Sequence, residues 1–287
     1  MKVAIASGKG GTGKTLLATN LASYWSERQR IMLADVDVEE PNDALFLRLP
    51  TTTQEEKFKF IPSWNATLCT LCGQCQDVCN YHAIIQLGSE IMVFDTLCHS
   101  CYACSELCPA HALPMVPHKI GELTHYHQDN FSFVESRLEV GEEQAVPLIV
   151  QTHQYVDEHF SKDDVQLFDC PPGTSCPVIE ATRHADFVIL ITEPTPFGEH
   201  DVRLAMQTMN KMNKPFGLVI NRADVGNANL IEYCKENAIP VLASIPFDHN
   251  IAKAYAQGLL VYKQVPAVKS ALDQIIDFLQ VFAINQK

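Results

Sequence analysis

The stretch Gly8-Lys9-Gly10-Gly11-Thr12-Gly13-Lys14-Thr15 constrains this chain more than any other. It follows a short apolar run at 3–6 and opens onto 15–27, where Leu16, Leu17, Leu21, Ala22 and Trp25 recur at helical spacing. A glycine-rich turn of the pattern G-x-x-x-x-G-K-S/T between a strand and a helix is a phosphate cradle. Its glycines let backbone N–H groups converge on phosphate oxygens, and the helix N-terminus adds a favourable dipole. On this reading Lys14 reaches the β- and γ-phosphates and the Thr15 hydroxyl holds Mg²⁺.

The rest of the chain suits such a start. Residues 31–34 form a short apolar strand ending in Asp35, and strand-like runs recur at 166–168, 187–192, 216–220 and 241–245. Helical patterns lie between them, centred near 180, 205 and 232, with later ones at 249–257 and 267–283. This alternation predicts an α/β fold: a Rossmann-like, mostly parallel sheet with helices on both faces. Residues 122–127 and 131–140 look like paired strands, and 144–160 reads as a helix that tolerates Pro147 in its first turn. Residues 50–60 are polar, without an apolar stripe, and are read as a lead into an insert.

The 287 residues carry a net charge of −13. That argues against broad nucleic-acid binding, which shows a basic face, and against docking on anionic lipid. No signal-peptide stretch opens the chain and no run reaches membrane-spanning length. A cytoplasmic protein is expected. In the last helix Leu272, Ile275, Ile276, Leu279 and Phe282 share a face, but Asp273 and Asp277 opposite them are unlike a membrane-surface helix, so it is read as docked.

Eight of the eleven cysteines fall into two quartets of one spacing. Cys69, Cys72, Cys75 and Cys79 read C-x-x-C-x-x-C-x-x-x-C, and Cys98, Cys101, Cys104 and Cys108 repeat it. This is the bacterial ferredoxin spacing for two [4Fe–4S] clusters, in which the fourth cysteine of each run crosses to the other cluster. The rule assigns Cys69, Cys72, Cys75 and Cys108 to one cluster, and Cys98, Cys101, Cys104 and Cys79 to the second. Zinc more often takes separated C-x-x-C pairs. Pro109 follows Cys108, whereas Asn80 follows Cys79, so the backbones at the two clusters are expected to differ. Between the quartets, 83–87 and 90–94 flank Gly88-Ser89 as a hairpin. Cys234 sits in an apolar helical pattern and is read as buried. Cys176 is read as structural or redox-neutral, and the histidines around the insert (His82, His99, His111, His118, His125, His127) as solvated or packed.

With Lys9 inside it, the loop resembles that of the MinD/ParA class of P-loop ATPases, K-G-G-x-G-K-S/T. The resemblance implies that Lys9 crosses a dimer interface to the partner's nucleotide, and that Asp37, in Asp35-Val36-Asp37, orients or deprotonates the attacking water. It makes Asp169, which opens Asp169-Cys170-Pro171-Pro172-Gly173, the Walker-B carboxylate of the Mg²⁺ shell, with Gly173 near the γ-phosphate. It also implies that Asn221 contacts adenine and that Ile245-Pro246-Phe247-Asp248 completes the pocket, through Pro246 and Asp248. Asn221-Arg222-Ala223-Asp224 can also be read as the guanine motif N-K-x-D, with Arg222 in place of its lysine, and ATP is the favoured base reading.

The chain is thus identified as a deviant Walker A P-loop ATPase, 1–60 and 119–287, interrupted by a small α+β ferredoxin-like domain at 61–118. The expected cofactors are ATP, Mg²⁺ and two [4Fe–4S] clusters. The expected partners are a second copy of the chain, in an ATP-dependent homodimer, and a redox protein, with no nucleic acid and no membrane. The favoured function is ATP-gated electron transfer. The alternatives are an Fe–S or metallocofactor carrier and a MinD/ParA-like spatial organiser with redox-sensing clusters.

Overall fold

A computed structural model describes residues 1–161, 164–226 and 229–285. In chain order the first elements are β1 (Lys2–Ala6), α1 (Lys14–Ser26), β2 (Ile31–Asp35), β3 (Thr51–Pro62), α2 (Gln74–Asp77), β4 (Ile84–Leu87), β5 (Glu90–Val93), α3 (Ala103–Glu106), β6 (Met115–Gln128) and β7 (Phe131–Leu138). There follow α4 (Ala145–His159), β8 (Val165–Asp169), α5 (Cys176–Arg183), β9 (Phe187–Thr192), α6 (Pro196–Lys211), β10 (Phe216–Asn221), α7 (Asn229–Glu236), β11 (Val241–Ile245), α8 (His249–Ala256) and α9 (Pro266–Asn285). They form two compact units. Met1–Gln54, Leu123–Arg137 and Ile149–Lys287 make the first, and Glu55–Glu122 with Leu138–Leu148 the second.

The large sheet has the order β11-β10-β9-β1-β8-β2-β7-β6-β3. β1 lies parallel between β8 and β9, β10 is parallel to β9 and β11, and β2 is parallel to β8 and β7. The central strands are buried at nearly every position, which is why they read as continuous apolar runs rather than alternating ones. From β1 the chain goes on to β2 and β8 on one side, and to β9, β10 and β11 on the other. Such a reversal opens a crevice beyond the carboxyl ends of the strands. The register sets Asp35 directly opposite Asp169 at that edge.

Leu17, Leu21 and Trp25 of α1 join Val3, Leu33, Leu167 and Ile189 in one core of the first unit. α9 buries Val268, Leu272, Ile275, Ile276 and Leu279 in the same core, at about 1.5–3 kcal/mol for each large side chain. Its polar face supplies Asp273, which accepts from Tyr24 at 2.8 Å and Arg28 at 2.9 Å. The terminal helix is therefore docked, as its charge pattern implied. Among the described residues no helix is long and apolar enough to cross a membrane.

The stretch 50–60 is not a mere lead: all of it from Thr51 on lies in β3. β3 is the last strand of the sheet order and its first six residues are exposed. An edge strand solvated on both faces needs no apolar stripe, and charges such as Glu55, Glu56 and Lys57 discourage edge-to-edge pairing. β6 likewise begins at Met115, seven residues before the predicted start, through a half-exposed stretch that lacks a clear period.

In the second unit β4 and β5 form an antiparallel hairpin, Ile84 opposite Val93 and Leu87 opposite Glu90, closed by Gly88 at φ 59°. Ile84, Ile91, Leu113 and Cys104 make a small core with Trp64, Cys69 and Cys75 around it. So little apolar material is marginal for holding a fold by itself.

Candidate functional site

The loop after β1 turns through two left-handed glycines, Gly11 at φ 76° and Gly13 at φ 104°. A Cβ on Gly13 would lie 2.6 Å from Asn221 Nδ2, and that amide donates to the Thr12 carbonyl at 2.9 Å. Asn221 thereby ties the loop to the end of β10. Gly8 is required for a different reason: its Cβ would meet the Asp201 carbonyl of α6 at 2.2 Å. At Gly10 and Gly11 a Cβ would meet nothing within 4 Å, so this stretch of backbone faces open space. That is the arrangement a phosphate cradle needs.

Gly10, Gly11, Gly13, Lys14, Thr15 and Asp37 line one side of a single cavity of about 390 Å³, a volume typical of small-molecule sites. Asn221, Pro246 and Asp248 line it too, with Phe247 and Tyr255 beside them. Asp248 caps α8 through Asn250 N at 2.7 Å. Lys9, Gly8, Thr12, Asp169 and Gly173 do not line it. The Lys9 carbonyl accepts from Ser7 Oγ at 2.7 Å, which pins the start of the loop. Gly173, at φ 96°, donates its N–H to the Ser7 carbonyl at 2.9 Å.

Asp169 lies behind the cavity wall. Its Oδ2 accepts from the Thr15 hydroxyl at 3.0 Å, while its buried Oδ1 meets no N–H or hydroxyl donor among the described residues. An orphaned carboxylate oxygen next to a hydroxyl is an oxygen donor set that suits Mg²⁺, which takes one or two carboxylates and completes its shell with phosphate and water. Burial pushes Asp169 up to about 6, with Lys14 and the Thr15 hydrogen bond pulling the other way. Asp37 also rises to about 6 through burial, opposed by Lys14. Asp35 is fully buried and accepts from the N–H groups of Asp37, Asn42 and Asp43 at 3.1, 2.9 and 3.1 Å. It thus folds residues 36–43 back over the strand ends and aims Asp37 at the cavity.

Asp43 was not foreseen from the sequence. It is fully buried, no N–H or hydroxyl among the described residues reaches either oxygen, and it is close enough to Asp169 to share a proton. Burial raises it well above the usual carboxylate range, and the neighbouring Asp35 and Asp169 raise it further. Nothing in its own flanking residues signals this, because only the return of the loop brings it inward.

The second unit holds two smaller cavities. Cys69, Cys72, Cys75 and Cys108 line one, and Cys79, Cys98, Cys101 and Cys104 the other. Each therefore gathers three cysteines of one run and the fourth of the other. The sequence repeat recurs in the backbone: Leu71 and Ser100, Gly73 and Tyr102, and His82 and His111 are left-handed at matching offsets. Leu71 N donates to Cys69 Sγ at 3.4 Å, Ala83 N to Cys79 Sγ at 3.3 Å and Ala112 N to Cys108 Sγ at 3.3 Å. Burial raises Cys75, Cys98 and Cys104, the last to about 11. Such thiols become thiolates only with a compensating positive centre. Among the described residues no three His, Cys, Asp or Glu side chains surround a point fit for a single metal ion. Of the other cysteines, Cys170 and Cys234 are buried, whereas Cys176 is exposed at the start of α5. Its reading as a structural residue gains nothing from burial.

Comparison with known proteins accords with the first unit. Residues 3–261 match the CobQ/CobB/MinD/ParA nucleotide binding domain. The chain is 30% identical over 283 residues to the uncharacterized protein MJ0578 of Methanocaldococcus jannaschii, covering 98% of this chain and 97% of that protein. It is 28% identical over 266 residues to MJ0579 of the same organism, covering 90% of each. Among solved structures it is similar to the septum site-determining protein MinD of Pyrococcus horikoshii, complexed with Mg-ADP. That likeness has a TM-score of 0.60 at 17% identity and covers 99% of this chain and 97% of that one, so it speaks to fold. The match from β1 to the segment before α9, across the loop, Asp37, Asp169 and Asn221, makes this chain a member of the CobQ/CobB/MinD/ParA nucleotide-binding family.

Proposed function

We propose that this chain is an ATP-hydrolysing iron–sulfur protein in which nucleotide-dependent dimerisation gates electron transfer through two [4Fe–4S] clusters to a redox partner protein. The observation that carries the proposal is the pair of four-cysteine cavities in a chain that also holds a complete phosphate loop. Each cavity gathers the cysteines that the ferredoxin crossing rule requires, and a cubane spaces its thiolates more widely than a single ion does. When bound, the clusters supply one-electron storage, and Mg²⁺ neutralises phosphate charge.

The chain's own residues have separate tasks. Lys14 and the loop N–H groups hold the phosphates, Thr15 and Asp169 hold the metal, and Asp37 orients the attacking water. Lys9 reaches the partner's nucleotide. Adenine is favoured over guanine because Asp224 gives its Oδ1 to the Phe247 N–H at 2.6 Å and does not line the cavity. In chain order the cysteine unit follows the segment bearing Asp37, so a change at that segment on hydrolysis is available to it.

Anaerobic reduction of the reconstituted protein, followed by EPR with and without ATP, tests the scheme. A reduction rate or potential that depends on ATP is expected. Identical traces, or ATP-dependent dimerisation unaffected by Lys9→Ala, would sink it.

A further inference from the structure

Lys59 of β3 and Glu142 meet at 2.9 Å with only 2% and 3% of their side chains exposed. Buried ion pairs are poor stabilisers, because desolvation offsets their attraction. This one is nevertheless held firmly: Glu142 Oε1 also accepts from Gln144 N at 3.1 Å, and His118 Nε2 lies 3.7 Å from Oε2. Ile61, two residues beyond Lys59 and so on the same strand face, packs against Cys98 and Cys79. Lys59 is accordingly a fixed cation on the strand face that packs against cysteines of the second cavity. Among the described residues neither cavity has a lysine, arginine or carboxylate in its wall; the difference is that the strand face carrying Lys59 packs, through Ile61, against Cys98 and Cys79 of the second.

We propose that Lys59, positioned by Glu142, raises the reduction potential of the cluster held by Cys98, Cys101, Cys104 and Cys79 above that of its neighbour. The proposal rests on the cluster reading above. Reduction takes one electron from a one-electron donor and adds one negative charge to a cluster, with no bond made or broken. A buried cation nearby favours that charge, and net charge is a principal control of cluster potential.

The test is a dithionite redox titration of the full chain under anaerobic conditions, read by EPR. Lys59→Met is expected to lower the potential of one cluster and leave the other in place, while Lys59→Arg keeps both. Because Lys59→Met strands Glu142 in the interior, Lys59→Met/Glu142→Gln is titrated beside it, with a smaller fall at the same cluster expected. Unchanged potentials in folded, iron-loaded variants, or equal shifts of both clusters, overturn the assignment. Iron and acid-labile sulfide are assayed first. A reconstituted wild-type chain that holds neither overturns the cluster reading itself, a failure seen before any titration.

Discussion

The Thr15 hydroxyl donates to Asp169 Oδ2 at 3.0 Å, joining residues 154 positions apart, while Asp169 Oδ1 meets no N–H or hydroxyl donor among the described residues. A metal ion bound there would take the oxygens that now face one another. Asp169→Asn is therefore expected to remove the Mg²⁺-dependent part of nucleotide affinity, about 10–100-fold for a charged contact. Affinity in EDTA should stay the same. Titration of a fluorescent nucleotide with and without Mg²⁺ decides it, and an equal loss under both conditions would refute the metal role.

Gly13 is a second exacting position. Alanine there would combine a left-handed backbone with a Cβ 2.6 Å from Asn221 Nδ2. Gly13→Ala is expected to cost about 2 kcal/mol or more in urea unfolding. Gly10→Ala, which meets open space, should leave stability almost unchanged and weaken nucleotide binding.

His153 gives the pH dependence a clear sign. Burial lowers it to about 4, with His184 and Lys2 adding to the effect. A depressed base contributes stability that is present above about 6.5 and lost as pH falls towards 4. Over that window it is worth about 3 kcal/mol. Asp37 and Asp169, both raised to about 6, act with the opposite sign, since their contribution is lost as pH rises through that value. In His153→Phe the acid loss of stability should shrink. Melting temperatures of the two proteins from pH 4 to 7 measure the difference, and parallel curves would contradict the assignment.

Each cysteine quartet should answer separately to mutation. Cys75→Ser and Cys104→Ser are each expected to lose about half of the bound iron and sulfide after reconstitution. Cys234→Ser, in a buried helix position outside both cavities, should lose none. Full retention in both quartet variants would contradict the assignment of these cysteines as cluster ligands.

Local pattern carried much of this in the sequence. The loop glycines, Lys14 and Thr15 are contiguous, and the cysteine spacing already implies the crossed grouping seen in the two cavities, so neither needed tertiary information. Asn221, Pro246 and Asp248 came from resemblance, and their convergence on the loop's cavity depends on parallel strands ending at one edge of the sheet. What stayed hidden depends on return of the chain. Asp43 looks like any polar loop residue until Asp35 draws residues 42 and 43 inward. β3 was missed because an exposed edge strand carries no apolar period. Lys59 is inconspicuous among the charges of that strand, and only burial against Glu142 distinguishes it.

The matched left-handed residues of the second unit also bear on the order of its assembly. Leu71, His82, Ser100, Tyr102 and His111 all carry side chains in a conformation that disfavours them, at about 1 kcal/mol or more apiece. Their sum rivals the whole stability of a small domain, and the unit's few core residues cannot meet it by themselves. On the proposed cluster reading the loops are an arch that stands only with its keystone in place: newly made chains would finish the nucleotide unit first and leave the cysteine unit slack until metal arrives, and iron supply would decide when the protein matures.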